Sequence, residues 1–266
     1  ETINIQFDPK IAMDEDGDFV IVWTSAGGQD GYGIYAQRYL ADGTASGTEF
    51  QVNTETHSSQ LDPSIAMDTG GNFVITWQSY LQDSGSAGIY AQRYQANGTA
   101  AGGEFLVSSS PNFNQSKPSI AMDADGDFVI AWESRDQDGS YSEIYAQRFQ
   151  ADGTADGGEF RVNTFTSSYQ SYPSATMDAD GNFVIAWESY QDGSAQAIIA
   201  QRYQADGTAD GGEFLVNTQT YERQRFPSIA MAANGNFVTA WASFGQDGDT
   251  YGIYAQRYEG EGGTPV

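Results

Sequence analysis

Clustered acidic side chains stand in tight turns of this 266-residue sequence. Two turns carry the full pattern Asp-x-Asp-Gly-Asp, namely Asp14, Asp16 and Asp18 in one and Asp123, Asp125 and Asp127 in the other. Hard cations such as Ca²⁺ prefer oxygen ligands on short loops, so both turns are candidate calcium sites. Asp and Gly also form hairpin turns for conformational reasons, and residues 232–236 keep the turn without the acids. Turn formation alone and turn formation with calcium are therefore both open, and no cofactor is required.

A second group of candidate residues combines amides, carboxylates and aromatic rings in longer loops. These groups suit the recognition of a sugar or an extended polymer. The candidate ligand-binding residues are Gln29, Asp30, Tyr80, Gln82, Asp83, Gln137, Asp138, Tyr141, Tyr190, Gln191, Asp192, Phe244, Gln246, Asp247 and Tyr251. A second set of loops adds the aromatic residues Phe113, Tyr169, Tyr172, Tyr221 and Phe226. We expect both sets of loops to lie on one face of the molecule and to form its ligand face.

Catalytic chemistry finds little support in the residue types. The single histidine, His57, lies in a variable loop, and the sequence has no cysteine. Carboxylates are so abundant that no acid and nucleophile pair of a glycosidase stands out. We therefore predict that the protein is not an enzyme and keep a hydrolase as the third functional hypothesis.

The positions of the tryptophans show what organises these loops. Trp23, Trp77, Trp132, Trp187 and Trp241 follow one another at intervals of 54 or 55 residues. A period of this length predicts an array of like units, each too small to bury a core alone. Because each Trp ends an apolar strand, we expect it to pack between units rather than to bind sugar.

Five arginines recur with the same period. They lie between aromatic neighbours in a strand, and we expect them to pair with an Asp or Glu of a neighbouring strand. The five are Arg38, Arg93, Arg148, Arg202 and Arg257.

Each repeat is typical of four short strands, A to D. In repeat three, residues 118–123 and 127–132 form a hairpin around an Asp-Gly turn, and residues 144–149 and 159–164 form a second one. Strand B is apolar on both faces, whereas strand D is the least apolar. This gradient favours an all-β fold, a five-bladed β-propeller of four-stranded antiparallel blades, with strand A at the axis.

The whole chain, residues 1–266, is then a single propeller domain. Its approximate repeats are 9–62, 63–117, 118–172, 173–226 and 227–266. The last repeat has no recognisable strand D, so we expect residues 1–8 to supply the strand that completes blade five and closes the ring.

The charge restricts the partners. There are 36 acidic and 11 basic residues, which give a formal net charge of −25. Phosphate binding needs clustered Lys and Arg, so nucleic acid is excluded as a partner, and no apolar run is long enough for membrane insertion. Such a surface repels itself unless cations screen it, which favours a secreted, extracellular or cell-surface location.

The repeated phrase Ile-Tyr-Ala-Gln-Arg-Tyr, at 34–39, 89–94 and 253–258, is followed in the repeats by Gly-Gly-Glu-Phe-x-Val-Asn-Thr or a close variant. It resembles repeats of large secreted bacterial proteins that are adhesin-like and carry hemolysin-type calcium-binding segments. The resemblance implies secretion. The glycine-rich nonapeptide calcium repeats are absent, so their calcium sites are not carried over. In architecture the chain is similar to five-bladed tachylectin-type lectins.

The leading hypothesis is an extracellular, non-catalytic, lectin-like propeller that binds glycans or extracellular polymers at several weak sites and gains avidity. The alternative is a structural or adhesion module of a large secreted protein or assembly, held by contacts with neighbouring copies or modules.

Overall fold

The computed structural model describes residues 5–26, 31–80, 82, 86–109, 113–137, 141–190, 195–260 and 265. Within these ranges every regular element is a β-strand. β-Branched and aromatic residues fill the strands, and glycines with positive φ occupy the turns between them. The predicted all-β class is confirmed. None of the described residues forms a helix able to span a membrane.

The strands form five antiparallel sheets, one for each repeat. Blade one contains β1 (Gln6–Met13), β2 (Phe19–Ala26), β3 (Tyr32–Tyr39) and β4 (Phe50–Gln51). Blade two contains β5 (Gln60–Met67), β6 (Phe73–Tyr80), β7 (Ala87–Tyr94) and β8 (Phe105–Leu106). Blade three contains β9 (Asn114–Met122), β10 (Phe128–Arg135), β11 (Ser142–Phe149) and β12 (Phe160–Arg161). Blade four contains β13 (Gln170–Met177), β14 (Phe183–Ser189), β15 (Ala197–Tyr203) and β16 (Phe214–Leu215). Blade five contains β17 (Gln224–Met231), β18 (Phe237–Phe244) and β19 (Tyr251–Tyr258) among the described residues.

In every blade the strands pair in sequence order, and the first strand of each blade lines a central channel. This arrangement confirms the five-bladed β-propeller predicted from the repeats. It also places the turns between strands one and two on one face of the molecule, opposite the loops between strands two and three.

The core lies between successive blades. Four clusters of buried apolar side chains are found among the described residues, one between each blade and the next. Trp77, Trp132 and Trp187 are fully buried in them. The indole Nε1 of Trp187 donates a hydrogen bond to Gln170 Oε1 at 2.9 Å. The predicted packing between blades is confirmed for these three tryptophans and for Trp241, whereas Trp23 is half-buried and lies in none of the four clusters.

The repeated arginines join blades and strands. Arg38 and Arg93 each donate a 2.7 Å hydrogen bond from Nη1 to a backbone oxygen in the following blade. Arg148 also forms a 2.9 Å ion pair with Asp156, and Arg202 lies 3.4 Å from Asp210. Arg148 and Arg202 do pair with an acid as predicted, but Asp156 and Asp210 lie in the loop after the strand rather than in a neighbouring strand.

The N-terminal segment is placed differently from the prediction. Gln6 and Phe7 pair with Ser25 and Thr24, and the Ala26 amide donates to the Ile5 oxygen. The described part of residues 1–8 therefore continues the first strand of blade one and does not complete blade five. The physical reason is that β1 starts before Pro9, where the prediction began it, and the earlier residues still find partners in β2.

The two terminal blades each leave one face open to solvent. Ile253 in β19 is 79% exposed, whereas Ile34, Ile89, Ile144 and Ile198 at the same position of the other blades are 0% exposed. Ile11 in β1 is 61% exposed, while its counterpart Ile120 is 6% exposed. Residues that are core in the middle blades are thus solvent-facing on the outer sides of blades one and five.

Candidate functional site

A cavity of ≈ 630 Å³ lies on the axis, where the first strands of all five blades meet. Each of these strands carries a bulge just before its proline, at which the pairing register shifts. The residue before the proline has a positive φ of 52° to 55° in every blade, although none of these residues is glycine. Such a conformation costs free energy and persists only where the surrounding structure imposes it. The five bulge residues are Asp8, Asp62, Lys117, Tyr172 and Phe226.

These bulge residues break the repeat symmetry at the axis. Blades one and two contribute carboxylates, blade three contributes an ammonium group, and blades four and five contribute aromatic rings. The prolines and serines that follow them are nearly the same in all blades, with Lys10 replacing the serine in blade one. The backbone around the cavity is therefore equivalent in all five blades, but the side chains that line the cavity differ from blade to blade.

Asp62 is the perturbed carboxyl group of this cavity. Burial raises its pKa, and the neighbouring Asp8 carboxylate raises it further. The cations Lys117 and Lys10 lower the pKa of Asp62 but do not reverse the net increase. A carboxyl group with a raised pKa beside a second carboxylate is the combination that glycosidic bond cleavage uses.

Lys117 is held rigidly between two blades. Its Nζ donates to Glu133 Oε2 at 2.9 Å and lies 3.5 Å from the centroid of the Tyr172 ring. Glu133 is fully buried, and its second oxygen lies 3.4 Å from Arg135 Nε. The sequence has only two lysines, Lys10 and Lys117, and both line this cavity.

The aromatic side of the cavity has a similar support. The rings of Tyr172 and Phe226 meet edge to face with centroids 4.9 Å apart. Glu188 Oε1 accepts a 2.8 Å hydrogen bond from the Phe226 amide, and Arg225 lies over the Phe226 ring. Burial raises the pKa of Glu188, while the Phe226 amide and Arg225 act in the opposite direction.

Part of this site was not predicted from the sequence. Tyr172 and Phe226 were among the candidate aromatics, but the carboxylates were not singled out. The sequence does contain a pattern that could have indicated these carboxylates. In the second strand, the residue after the repeated Trp varies between blades although its neighbours recur. That residue is Thr24, Gln78, Glu133, Glu188 or Ala242 in the successive blades. The residue before the repeated proline varies in the same way, from Asp to Phe.

The predicted Gln-Asp loops lie on the face at which the first strands begin, but the described glutamines serve the scaffold. Gln82, Gln137 and Gln246 each accept a hydrogen bond from the serine that ends or nearly ends the second strand. Gln137 Nε2 also donates to Glu159 at 2.6 Å, and Gln82 donates to Glu104. Ligand binding by these glutamines and by Asp247 stays a prediction. The remaining residues of the predicted pairs lie outside the described residues: Gln29, Asp30, Asp83, Asp138, Gln191 and Asp192.

The predicted aromatic residues of these loops are exposed. Tyr80, Phe244 and Tyr251 stand at the ends of strands, and the Phe244 and Tyr251 rings contact each other at 5.1 Å. Tyr141 and Tyr190 flank Tyr169, with ring centroids 4.8 Å and 6.2 Å from it. The structure thus brings residues of two different loop sets together, as their placement on one face predicted.

The acidic turns lie on the opposite face, and their oxygens bind backbone amides. Asp14 Oδ1 accepts from the Asp18 amide at 2.9 Å, and Asp123 Oδ1 accepts from the Asp125 and Asp127 amides. Asp18 and Asp127 accept from the amides of Ala41 and Ala151, and Asp16 is exposed. Among the residues that the structure describes, no three acidic or histidine side chains group closely enough to hold a metal ion. These carboxylates therefore stabilise the turns, and calcium binding by them stays a prediction.

Known proteins that are similar to this chain are found by structure and not by sequence. No protein-family model and no curated protein matches the sequence. An endo-arabinase from Bacteroides thetaiotaomicron is 13% identical, with a TM-score of 0.53 over 97% of this chain and 93% of that one. An α-L-arabinofuranosidase from Lactobacillus brevis is 13% identical, with a TM-score of 0.55; the match covers 99% of this chain and 94% of that one. An α-L-arabinanase from Penicillium chrysogenum, complexed with arabinobiose, is 13% identical, with a TM-score of 0.61 over 93% and 80%.

These structures correct one prediction. The chain was expected not to be an enzyme, but the named proteins that share its fold are an endo-arabinase, an arabinofuranosidase and an arabinanase. At this level of identity the likeness shows the fold alone, and a fold hosts many chemistries. The activity must be argued from the residues of the axial cavity.

Proposed function

We propose that the protein is a glycoside hydrolase whose reaction takes place in the axial cavity. The observation that carries the proposal is the pair Asp8 and Asp62, at equivalent bulges of neighbouring blades, with the pKa of Asp62 raised. Glycoside hydrolysis uses two carboxyl groups whose environments separate their pKa values. The fold shared with an endo-arabinase, an arabinofuranosidase and an arabinanase supports the same conclusion.

Asp62 is assigned the role of general acid. Its carboxyl donates a proton to the glycosidic oxygen as the bond to the anomeric carbon breaks, and burial keeps that proton in place. Asp8 is the second carboxylate. It is exposed and stabilises positive charge at the anomeric carbon or directs water to it.

Tyr172 and Phe226 form the opposite wall. Their rings offer an apolar surface against which a sugar ring can lie, and Lys117 and Glu188 fix their positions. An acid pair on one side and aromatic rings on the other is an arrangement that binds a sugar and places its glycosidic bond.

The test is release of reducing ends from arabinan, arabino-oligosaccharides and other plant and bacterial polysaccharides. We expect wild type to hydrolyse at least one of them and Asp62→Asn to lose 10²- to 10⁴-fold in kcat, the usual contribution of a general acid. Asp16→Asn is the matched control, because Asp16 is an exposed aspartate on the opposite face. Equal activity of Asp62→Asn and wild type would contradict the assignment.

A further inference from the structure

An exposed group of tyrosines lies at the boundary of blades three and four. Tyr141 is 51% exposed, Tyr169 48% and Tyr190 37%. Their ring centroids lie 4.8 Å and 6.2 Å apart, with Tyr169 in the middle. We call these three residues the tyrosine platform.

The tyrosine platform is fixed by buried polar contacts beneath it. Ser142, directly after Tyr141, donates a 2.8 Å hydrogen bond from Oγ to the backbone oxygen of Gln170, and both residues are fully buried. The Tyr190 amide donates to the Tyr169 oxygen at 3.3 Å. The backbone segments that carry the three rings are therefore joined by hydrogen bonds, which lowers the entropy lost when a ligand binds.

The tyrosine platform is specific to this boundary. The residue that corresponds to Tyr141 is Gly31, Ser86, Ala195 or Thr250 in the other blades. The residue that corresponds to Tyr169 is Ile5, Ser59, Asn114 or Arg223. The position of Tyr190 carries Tyr80 and Phe244 in blades two and five, so it is the combination of the three rings that is specific to this boundary. A feature needed by the blade scaffold would recur in each repeat, so Tyr141 and Tyr169 serve something other than the scaffold.

The tyrosine platform lies near the axial cavity along the chain. Tyr169 precedes β13, and Tyr172 lies three residues further along the chain, inside the cavity. At about 3.3 Å per residue in a strand, the two positions are about 10 Å apart. The rings of Tyr172 and Phe226 contact each other with centroids 4.9 Å apart, so the aromatic wall of the cavity begins about 10 Å from the tyrosine platform.

We infer that the tyrosine platform binds a run of sugar rings outside the cavity, so that the substrate is a long polysaccharide chain rather than a short oligosaccharide. This inference rests on the proposed hydrolase function. Aromatic faces stack on the apolar faces of sugars, and Tyr hydroxyls supply hydrogen bonds at the rim. Sugar units held on the platform increase binding without contacting the reacting bond.

The test compares debranched arabinan with arabinotriose as probes. In the active enzyme we expect the triple variant Tyr141→Ala, Tyr169→Ala, Tyr190→Ala to lose tenfold or more in kcat/KM for arabinan, mainly through KM, and to retain its value for arabinotriose. Leu40→Ala is the control, because Leu40 is a large apolar residue that is 43% exposed and lies in the turn after β3, on the opposite face. Circular dichroism melts check that each variant is folded.

A binding measurement separates this inference from the proposed function. Affinity electrophoresis with Asp62→Asn in arabinan gels should show retardation that the added triple substitution removes. If wild type hydrolyses no glycan but this retardation is seen, the hydrolase fails and the tyrosine platform stands. If the triple variant binds or hydrolyses arabinan as well as wild type, or loses both probes equally, the inference is overturned.

Discussion

Asp62 combines three features that rarely coincide in one residue. It has a positive φ of 53° although it is not glycine, its carboxyl is half-buried, and a second carboxylate, Asp8, lies at the corresponding bulge of the adjacent blade. Each feature costs folding free energy. The positive φ recurs in all five blades and belongs to the scaffold, whereas the half-buried carboxyl beside a second carboxylate is particular to Asp62 among the five bulge residues, which agrees with its assignment as the acid.

The raised pKa of Asp62 makes stability depend on pH. The folded protein binds this proton more tightly than the unfolded chain, so the ionised group destabilises the fold above the folded-state pKa. The penalty disappears as the pH falls through the unfolded pKa of about 3.9. We expect Asp62→Asn to melt at a higher temperature than wild type at pH 7, with the difference shrinking towards pH 4. Asp16→Asn should show no such pH-dependent gain, and a less stable Asp62→Asn at pH 7 would contradict the argument.

At the scale of the elements, a network repeated in blades two and three joins the loop between the second and third strands to its own blade and to the preceding one. Gln137 donates to one oxygen of Glu159, and the other oxygen accepts from the amide and hydroxyl of Ser109. Glu104 makes the same contacts with Gln82 and Thr54. The Glu of the Gly-Gly-Glu-Phe phrase thus fixes the loops around the cavity.

Removing this glutamate should loosen a blade boundary. We expect Glu159→Ala to lower the free energy of unfolding by about 1.5–3 kcal/mol, the range for hydrogen bonds to a charged group. Glu49 stands at the same position of blade one but is exposed. Glu49→Ala should therefore change the free energy of unfolding by less than about 0.5 kcal/mol. Urea titrations of both variants measure the difference, and equal losses would refute the network's role.

The first strands also explain how far the sequence could predict the site. Strand A was expected to begin at the repeated proline, because the apolar run starts there. The structure begins it about three residues earlier, at Gln60 in blade two, and passes through the bulge at Asp62. Repetition predicts the blades, the tryptophan packing and the turns, since every copy needs them. The axial site could not be assembled in this way, because Asp8 and Asp62 lie in different repeats and meet only when the blades surround one axis.

At the scale of the whole molecule, the five blades form four buried interfaces among the described residues and leave two terminal faces exposed. A middle blade is covered on both sides, whereas blades one and five are each covered on one. The same residue type at the same position therefore contributes very differently to stability, depending on the blade.

Two isoleucines of the third strand measure this difference. Ile144 in blade three is 0% exposed, and its truncation to Ala should lower the free energy of unfolding by about 2–5 kcal/mol. Ile253 in blade five is 79% exposed, so Ile253→Ala should change the free energy of unfolding by less than about 0.5 kcal/mol. Chemical denaturation at several protein concentrations gives both values. A large loss for Ile253→Ala would mean that its face is covered in solution.

The role of Asp62 as general acid is tested most directly by the pH profile of kcat/KM for hydrolysis of a polysaccharide. The informative part is the alkaline limb, where activity falls as the pH rises. Activity should fall as Asp62 loses its proton, with an apparent pKa above the ordinary value of about 3.9 for Asp. Lys10 lowers the pKa of Asp62 and is exposed, so Lys10→Gln should move this limb to higher pH while Lys10→Arg leaves it in place. A limb that coincides in wild type and Lys10→Gln, or no hydrolysis at any pH, would contradict Asp62 as the acid of a glycoside hydrolase.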